Sequence, residues 1–143
     1  IAFGRIVLKL EDVNSTEIKP DAKNPIVDLL PEQKNISDMG GSLRLGANDI
    51  LIKSNTISHE IYDSDKISKR HRHRYEINKK YIPEFEKNGL IFSAESDNGK
   101  RMEMLEIPSH KFYLGVQFHP EFNSRPGYPE PVFEAFVKAA SQK

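Results

Sequence analysis

The stretch Val116-Gln117-Phe118-His119-Pro120-Glu121-Phe122 ends an alternating apolar segment and places an imidazole and a carboxylate two positions apart. Pro120 has no backbone N–H and a fixed φ, so we expect the strand to end here in a stiff turn. Side chains two positions apart in extended backbone point to the same side, which predicts a contact between His119 and Glu121. A carboxylate can hold the Nδ1 proton and leave Nε2 as a base toward a third group. The alternative is an exposed histidine beside a solvated glutamate in a loop.

The chain before and after this turn predicts a mixture of strands and helices. Short apolar runs bounded by turn residues predict strands at 25–30, 42–46, 50–52, 90–94, 102–107 and 112–118, with a turn at 46–49. Helices are predicted within 1–10, at 56–62, at 79–88 before Gly89, and after Pro131, where Val132, Phe133, Phe136, Val137 and Ala140 form one apolar stripe. The sequence contains no internal repeat and no segment with the composition of a linker between domains. The sequence therefore predicts one α/β unit.

A basic run, Lys69-Arg70-His71-Arg72-His73-Arg74, is the second unusual feature. If it is a strand, Arg70, Arg72 and Arg74 share one face, and the two histidines share the other. An arginine stripe can bind a carboxylate or a phosphate through paired hydrogen bonds. Two further interpretations stay open: the histidines as half of a metal site, and a solvated face of an edge strand.

Composition narrows the classes of protein. The chain has 143 residues, with 21 Lys plus Arg against 21 Asp plus Glu, which argues against a general attraction to nucleic acid or anionic membrane. No apolar run approaches the roughly 18–20 residues of a membrane helix. The chain has no cysteine, which excludes disulfides, thiolate metal sites and a cysteine nucleophile within these residues.

Four segments occur together in an order and spacing that one family shares: Asn14-Ser15-Thr16-Glu17, Met39-Gly40-Gly41-Ser42-Leu43-Arg44-Leu45-Gly46, Arg70-His71-Arg72-His73-Arg74-Tyr75-Glu76 and Gln117-Phe118-His119-Pro120-Glu121-Phe122. On these segments the chain resembles the glutaminase domain of the CTP synthase family, a class I glutamine amidotransferase domain. The resemblance implies a three-layer, flavodoxin-like α/β fold with a mixed central sheet. It also implies that residues 1–143 are a partial domain, and that the nucleophile elbow and the synthase domain lie outside them.

The same resemblance implies roles for particular residues. The family hydrolyses glutamine with a Cys-His-Glu triad, in which His119 resembles the base and Glu121 the carboxylate that orients it. Glu17 resembles the glutamate that holds the substrate α-amino group. Arg74 resembles the arginine that binds the α-carboxylate, beside the Tyr75 backbone. Because the cysteine is absent, we expect these residues alone to be inactive.

For the whole enzyme, the resemblance implies a ligase of pyrimidine nucleotide biosynthesis in the cytoplasm. Its partners would be L-glutamine and an N-terminal synthase domain of the same polypeptide, which uses ATP and Mg²⁺ to aminate UTP to CTP, with GTP as activator. A homotetramer is expected for the whole enzyme, and no cofactor, metal, nucleic acid or membrane for this chain. Two alternatives remain: a non-catalytic amidotransferase-like module with a regulatory or assembly role, and an anion or nucleic-acid binder built on Arg70, Arg72 and Arg74.

Overall fold

The computed structural model describes residues 1–29 and 44–142. Its helices are α1 (Ala2–Ile6), α2 (Ile57–Tyr62), α3 (Ile82–Lys87) and α4 (Pro131–Ser141). Its strands are β1 (Val13–Ser15), β2 (Asn24–Leu29), β3 (Arg44–Ile52), β4 (Lys66–His73), β5 (Tyr75–Ile77), β6 (Ile91–Ser96), β7 (Arg101–Glu106) and β8 (Leu114–Val116). Short 3₁₀ turns cover Lys79–Tyr81 and Pro120–Asn123. These elements form two compact units, unit 1 (Ile1–Arg44 and His73–Gly89) and unit 2 (Leu45–Arg72 and Leu90–Lys143).

Unit 1 is built on a three-stranded sheet in the order β1-β2-β5. Strand β2 pairs in parallel with β1 and antiparallel with β5, so the sheet is mixed. Val13 and Ile26 are each 1% exposed and form its core with Phe85. Helix α1 approaches this core through Gly4, where an added Cβ would lie 2.4 Å from Ile26 Cδ1. Only glycine therefore permits this close approach without a shift of its neighbours.

Unit 2 is built on a five-stranded sheet in the order β4-β3-β6-β7-β8. The pairs β3–β6, β6–β7 and β7–β8 are antiparallel. Its apolar core consists of Ile50, Ile52, Ala94, Met104, Phe118 and Val132. Among the described residues, β4 lies at one end of this sheet and is an edge strand.

The structure confirms most of the elements that the sequence predicts. Seven elements lie where the sequence patterns predict them: strands β2, β6, β7 and β8 and helices α2, α3 and α4. Thr56 accepts a hydrogen bond from the His59 N–H and so begins α2, while Gly89, with φ of +91°, follows α3 as predicted. The predicted positions Leu30 and Pro31, and the glycines at 40 and 41, lie outside the described residues.

The predicted turn at 46–49 is wrong, because β3 runs through it as one strand. Burial alternates along β3 from Arg44 to Ile52, as expected for a strand with one face turned inward. Gly46 has a φ of +87°, and the Asn48 side chain donates to its carbonyl at 3.1 Å. Glycine and asparagine thus produce a local irregularity in β3 and do not reverse the chain.

The apolar stripe predicted on α4 is mostly exposed. Val132 is 7% exposed and joins the core, but Phe133, Phe136 and Val137 are between 41% and 63% exposed. Among residues 1–29 and 44–142, none of the helices has the length and apolar character that a bilayer crossing requires.

Candidate active site

His119 and Glu121 form a hydrogen-bonded pair directly after β8 and the buried Phe118. The distance between His119 Nδ1 and Glu121 Oε1 is 2.8 Å. His119 has extended backbone, and Pro120 starts a 3₁₀ turn that contains Glu121. The contact predicted from the sequence is therefore present, but a turn that follows one extended residue creates it, not the alternation of a strand. We call this pair the dyad.

The negative charge of Glu121 suits His119 to accept a proton. The pKa of the Glu121 carboxyl lies below its usual value, first because the His119 side chain bonds to it and next because a backbone N–H does. An ionised carboxylate only accepts hydrogen bonds, so Nδ1 is the protonated nitrogen of the neutral ring and Nε2 carries the free lone pair. The arrangement can take a proton at Nε2 and stabilise the resulting imidazolium.

Neighbouring groups fix the backbone and one face of His119. Its N–H donates to the Arg70 carbonyl on β4 at 3.0 Å. The Phe122 ring lies 5.6 Å from the imidazole, centre to centre, and the Arg70 guanidinium carbon lies 5.9 Å from the centre of the Phe122 ring. The side chains of His119 and Glu121 are 40% and 57% exposed, so the dyad is open to solvent and to a substrate.

Glu17 lies in unit 1, in the turn that follows β1, and its side chain is exposed. Its backbone N–H donates to Ser15 Oγ at 3.2 Å. The preceding residue is tied to β2, because the Thr16 hydroxyl donates to Asp28 at 2.8 Å. These bonds hold the turn that carries the exposed Glu17 carboxylate.

Arg74 and Tyr75 also belong to unit 1, where Arg74 occupies the bend between β4 and β5. The predicted stripe of three arginines is therefore wrong at its last member. Arg70 and Arg72 are exposed on one face of β4, as a solvated edge strand predicts, but Arg74 is half-buried and has left the strand. Arg74 therefore does not share the exposed face of β4 with Arg70 and Arg72.

The two histidines of the basic run contact different carboxylates. In unit 2, His71 is buried with Nδ1 at 3.7 Å from Glu103 Oε2. In unit 1, His73 Nδ1 lies 3.2 Å from Glu76 Oε1. Each imidazole thus has a structural contact within its own unit. That the chain binds no metal and no cofactor stays a prediction.

Sequence reasoning missed the charged residues in the interior of unit 2. These are Lys69, Glu103, Glu106 and Glu130, each 8% exposed or less. Only Lys69 had a usable signal, because a strand through the basic run places it on the same face as His71. The three glutamates stand in local patterns that are equally typical of solvated positions.

The α/β units, each built on a sheet, and the histidine–carboxylate pair on a turn after β8 are the features that assign a class to this chain. The chain belongs to the class I glutamine amidotransferase family, because it matches "Glutamine amidotransferase class-I" over residues 1–139. The α/β fold that the sequence predicts, and the mixed sheet that the resemblance implies, agree with this family.

Curated relatives named CTP synthase match nearly the whole chain. The protein of Archaeoglobus fulgidus is 52% identical over 140 residues, which are 98% of this chain and 26% of that protein. The protein of Staphylococcus haemolyticus has the same identity and coverage. The protein of Pyrococcus abyssi is 48% identical over 143 residues, which are 99% of this chain and 27% of that protein. The chain thus spans about a quarter of the length of these relatives.

A solved structure has the same fold. The glutaminase domain of Trypanosoma brucei CTPS, with bound acivicin, superimposes with a TM-score of 0.92 at 38% identity. The match covers 100% of this chain and 56% of that chain.

Proposed function

We propose that the chain is part of a glutaminase domain that hydrolyses L-glutamine for a CTP synthase. The observation that carries the proposal is the 2.8 Å hydrogen bond between His119 Nδ1 and Glu121 Oε1. This hydrogen bond leaves His119 Nε2 free to act as a base. The family to which the chain belongs is named for the transfer of the amide nitrogen of glutamine. The CTP synthase relatives and the glutaminase structure support the choice of this enzyme.

The proposed reaction uses a cysteine from the polypeptide outside these residues, because the chain has none. His119 Nε2 takes the thiol proton, and the thiolate attacks the side-chain amide carbon of glutamine. The imidazolium returns that proton to the nitrogen, so ammonia leaves and a γ-glutamyl thioester remains. His119 then takes a proton from water, whose oxygen attacks the thioester carbon and breaks its bond to sulfur; glutamate leaves, and the imidazolium returns the proton to the thiolate. Glu121 holds the imidazolium in orientation at both stages.

Three residues are proposed to bind the amino-acid end of glutamine. The exposed Glu17 carboxylate pairs with the α-ammonium group. The Arg74 guanidinium binds the α-carboxylate through two parallel hydrogen bonds, beside the Tyr75 backbone. The negative Glu17 and the positive Arg74 match the two charges of the zwitterionic amino-acid end of glutamine. They would therefore favour glutamine over an amide that lacks these charges.

For the whole polypeptide we propose that the ammonia passes to an N-terminal synthase domain. There ATP and Mg²⁺ would phosphorylate UTP, ammonia would displace the phosphate to give CTP, and GTP would activate the glutaminase. The enzyme would work as a cytoplasmic homotetramer. The length of the relatives supports a larger polypeptide, since this chain is 26% of the Archaeoglobus fulgidus protein.

The test is His119→Ala in the full-length protein. We expect glutamine-dependent CTP formation to fall to background while ammonia-dependent formation is retained. The matched control is His59→Ala, because His59 Nε2 forms a similar pair with Asp65 Oδ1 at 2.9 Å elsewhere in unit 2. Equal loss of both activities in His119→Ala, or an equal loss of glutamine use in the control, would contradict the proposal.

A further inference from the structure

The buried Lys69 and Glu130 form a polar cluster with the half-buried Tyr62 in unit 2, and the proposed reaction does not use it. The side chains of Lys69 and Glu130 are 10% and 2% exposed. Glu130 Oε1 accepts from Lys69 Nζ at 2.6 Å and from the Tyr62 hydroxyl at 2.6 Å. Lys69 Nζ also lies 4.9 Å from the centre of the Tyr62 ring. We call these three residues the anchor cluster.

The hydroxyl of Tyr62 is a permanent donor in the cluster. Its pKa is raised above the usual value, first by burial and next by the hydrogen bond to Glu130. The Glu130 oxygen therefore keeps two donors at neutral pH. A buried carboxylate that accepts from a cation and a hydroxyl is well compensated for its loss of water.

The cluster lies at one end of the segment that carries the dyad. This segment, residues 119–130, is here called the dyad loop. At its start, the His119 N–H donates to the Arg70 carbonyl at 3.0 Å. At its end, the Glu130 side chain bonds to Lys69, the residue before Arg70 on β4. Consecutive residues of one strand thus hold the two ends of the dyad loop.

The end of the dyad loop at Glu130 is held by a buried ion pair. The dyad itself is half-exposed, and exposed ion pairs contribute little because water screens them. A buried pair cannot slide apart without leaving a charge uncompensated, so its geometry is strongly defined. The contact at Glu130 therefore adds a buried, charged restraint to the backbone hydrogen bond that ties His119 to β4.

We propose that the anchor cluster is a positioning device that holds the dyad loop so that the His119 imidazole meets the attacking thiol. This inference rests on the proposed glutaminase function. Misplacement of a catalytic group by about 1 Å can reduce a rate about 100-fold. Loss of the anchor therefore acts on the chemical step, through His119, and leaves the binding of glutamine by Glu17 and Arg74 in place.

The experiment compares Lys69→Met with Lys66→Met in the full-length protein. Lys66 lies on the same strand and forms an exposed pair with Asp49 at 2.7 Å, which makes it the matched control. We expect Lys69→Met to lower kcat for glutamine hydrolysis about 10- to 100-fold, with KM changed less than about twofold and ammonia-dependent CTP formation retained. The control should leave all three quantities at the parent values.

Because Lys69→Met leaves a buried carboxylate without its cation, it could unfold unit 2. Glu130→Gln removes the carboxylate charge but keeps an oxygen acceptor for Tyr62, and the double variant Lys69→Met/Glu130→Gln leaves no charge in the anchor cluster. We expect both to fold and to show the same fall in kcat at constant KM. A kcat at the parent value in these folded variants would overturn the proposal, and so would a parallel loss of ammonia-dependent activity.

Amide hydrogen exchange in the dyad loop separates this inference from the proposed function. We expect exchange across the loop to rise in Lys69→Met and in Glu130→Gln but not in Lys66→Met, whatever the activity. If exchange rises but His119→Ala still hydrolyses glutamine at the parent rate, the proposed function fails while the anchoring stands. If exchange does not rise, the anchor is refuted and the role of His119 is unaffected.

Discussion

Glu106→Gln tests how a buried carboxylate fixes the start of α2. Glu106 lies on β7 and is 0% exposed. Its two oxygens accept hydrogen bonds from the Ile57 N–H at 2.9 Å, the Ser58 N–H at 3.0 Å and the Ser58 hydroxyl at 3.0 Å. These N–H groups are among those that a helix leaves without a partner at its first turn. The carboxylate therefore joins α2 to the central sheet of unit 2.

Glutamine has nearly the same size, so the substitution isolates charge and hydrogen bonding. The amide has one acceptor oxygen, and its NH₂ group must face a backbone N–H whichever way it turns. At least one buried N–H then loses its acceptor, which costs about 1–3 kcal/mol, and the bonds that remain change from charged to neutral. We expect local opening of α2 to become easier by about 2–4 kcal/mol, or about 30- to 1,000-fold in amide exchange.

The assay is native-state hydrogen exchange of the α2 amides in the full-length protein, where a single global unfolding free energy is not well defined. Two reporters are the Glu60 N–H, which donates to Thr56, and the Asp63 N–H, which donates to His59. The control is Glu60→Gln, an exposed glutamate on the same helix. Exchange in Glu106→Gln that rises less than about threefold, or no more than in the control, refutes the reasoning.

Arg74→Lys should raise the KM for glutamine with little change in kcat, because lysine lacks the paired donors of arginine; an unchanged KM in steady-state assays contradicts this role. Glu121→Gln should lower kcat by up to about 10⁴-fold by removing the ionised acceptor of the Nδ1 proton, and a loss confined to KM argues against it. The pKa of Glu121 is held below the usual value of 4.5, so Glu121 should stay ionised and bonded to His119 until the pH falls below 4.5. This is measured from the carboxyl ¹³C shift of Glu121, and a titration midpoint above 4.5 would refute it. Gly4→Ala should destabilise unit 1 by about 1–3 kcal/mol through contact with Ile26, seen as faster amide exchange in β2, and parent-like exchange there would contradict it.

Local patterns predicted most elements and the dyad because both depend on neighbours in the chain. Pro120 limits where a strand can continue, and Gly89 favours the end of a helix, whatever the rest of the fold does. The contact between His119 and Glu121 spans two residues, so it also needed no knowledge of tertiary structure.

The errors occur where tertiary structure decides. Gly46 with Asn48 and Asp49 is typical of a turn, but pairing in the sheet extends β3 through these residues. Arg74 matches the alternation of the basic run, yet the chain bends there to start β5. Both outcomes depend on strands that are distant in sequence, and the spacing of residues carries no information about them.

The buried charges were unpredictable for a related reason. A lysine is kept inside only if a carboxylate reaches it, and the partner of Lys69 is 61 residues away. The same holds for Glu106, whose donors lie 48 and 49 positions before it. The role assigned to Glu17 and Arg74, by contrast, came from the family resemblance and stays a prediction.

The ion pair between Lys69 and Glu130 also has a consequence for behaviour on heating. Hydration of charged groups becomes less favourable as temperature rises, so the cost of keeping this pair away from water falls. The stabilisation from each unit of buried apolar surface reaches a plateau over the same range. An interior that contains this pair should thus lose less of its stability on warming than one with an apolar pair in the same place.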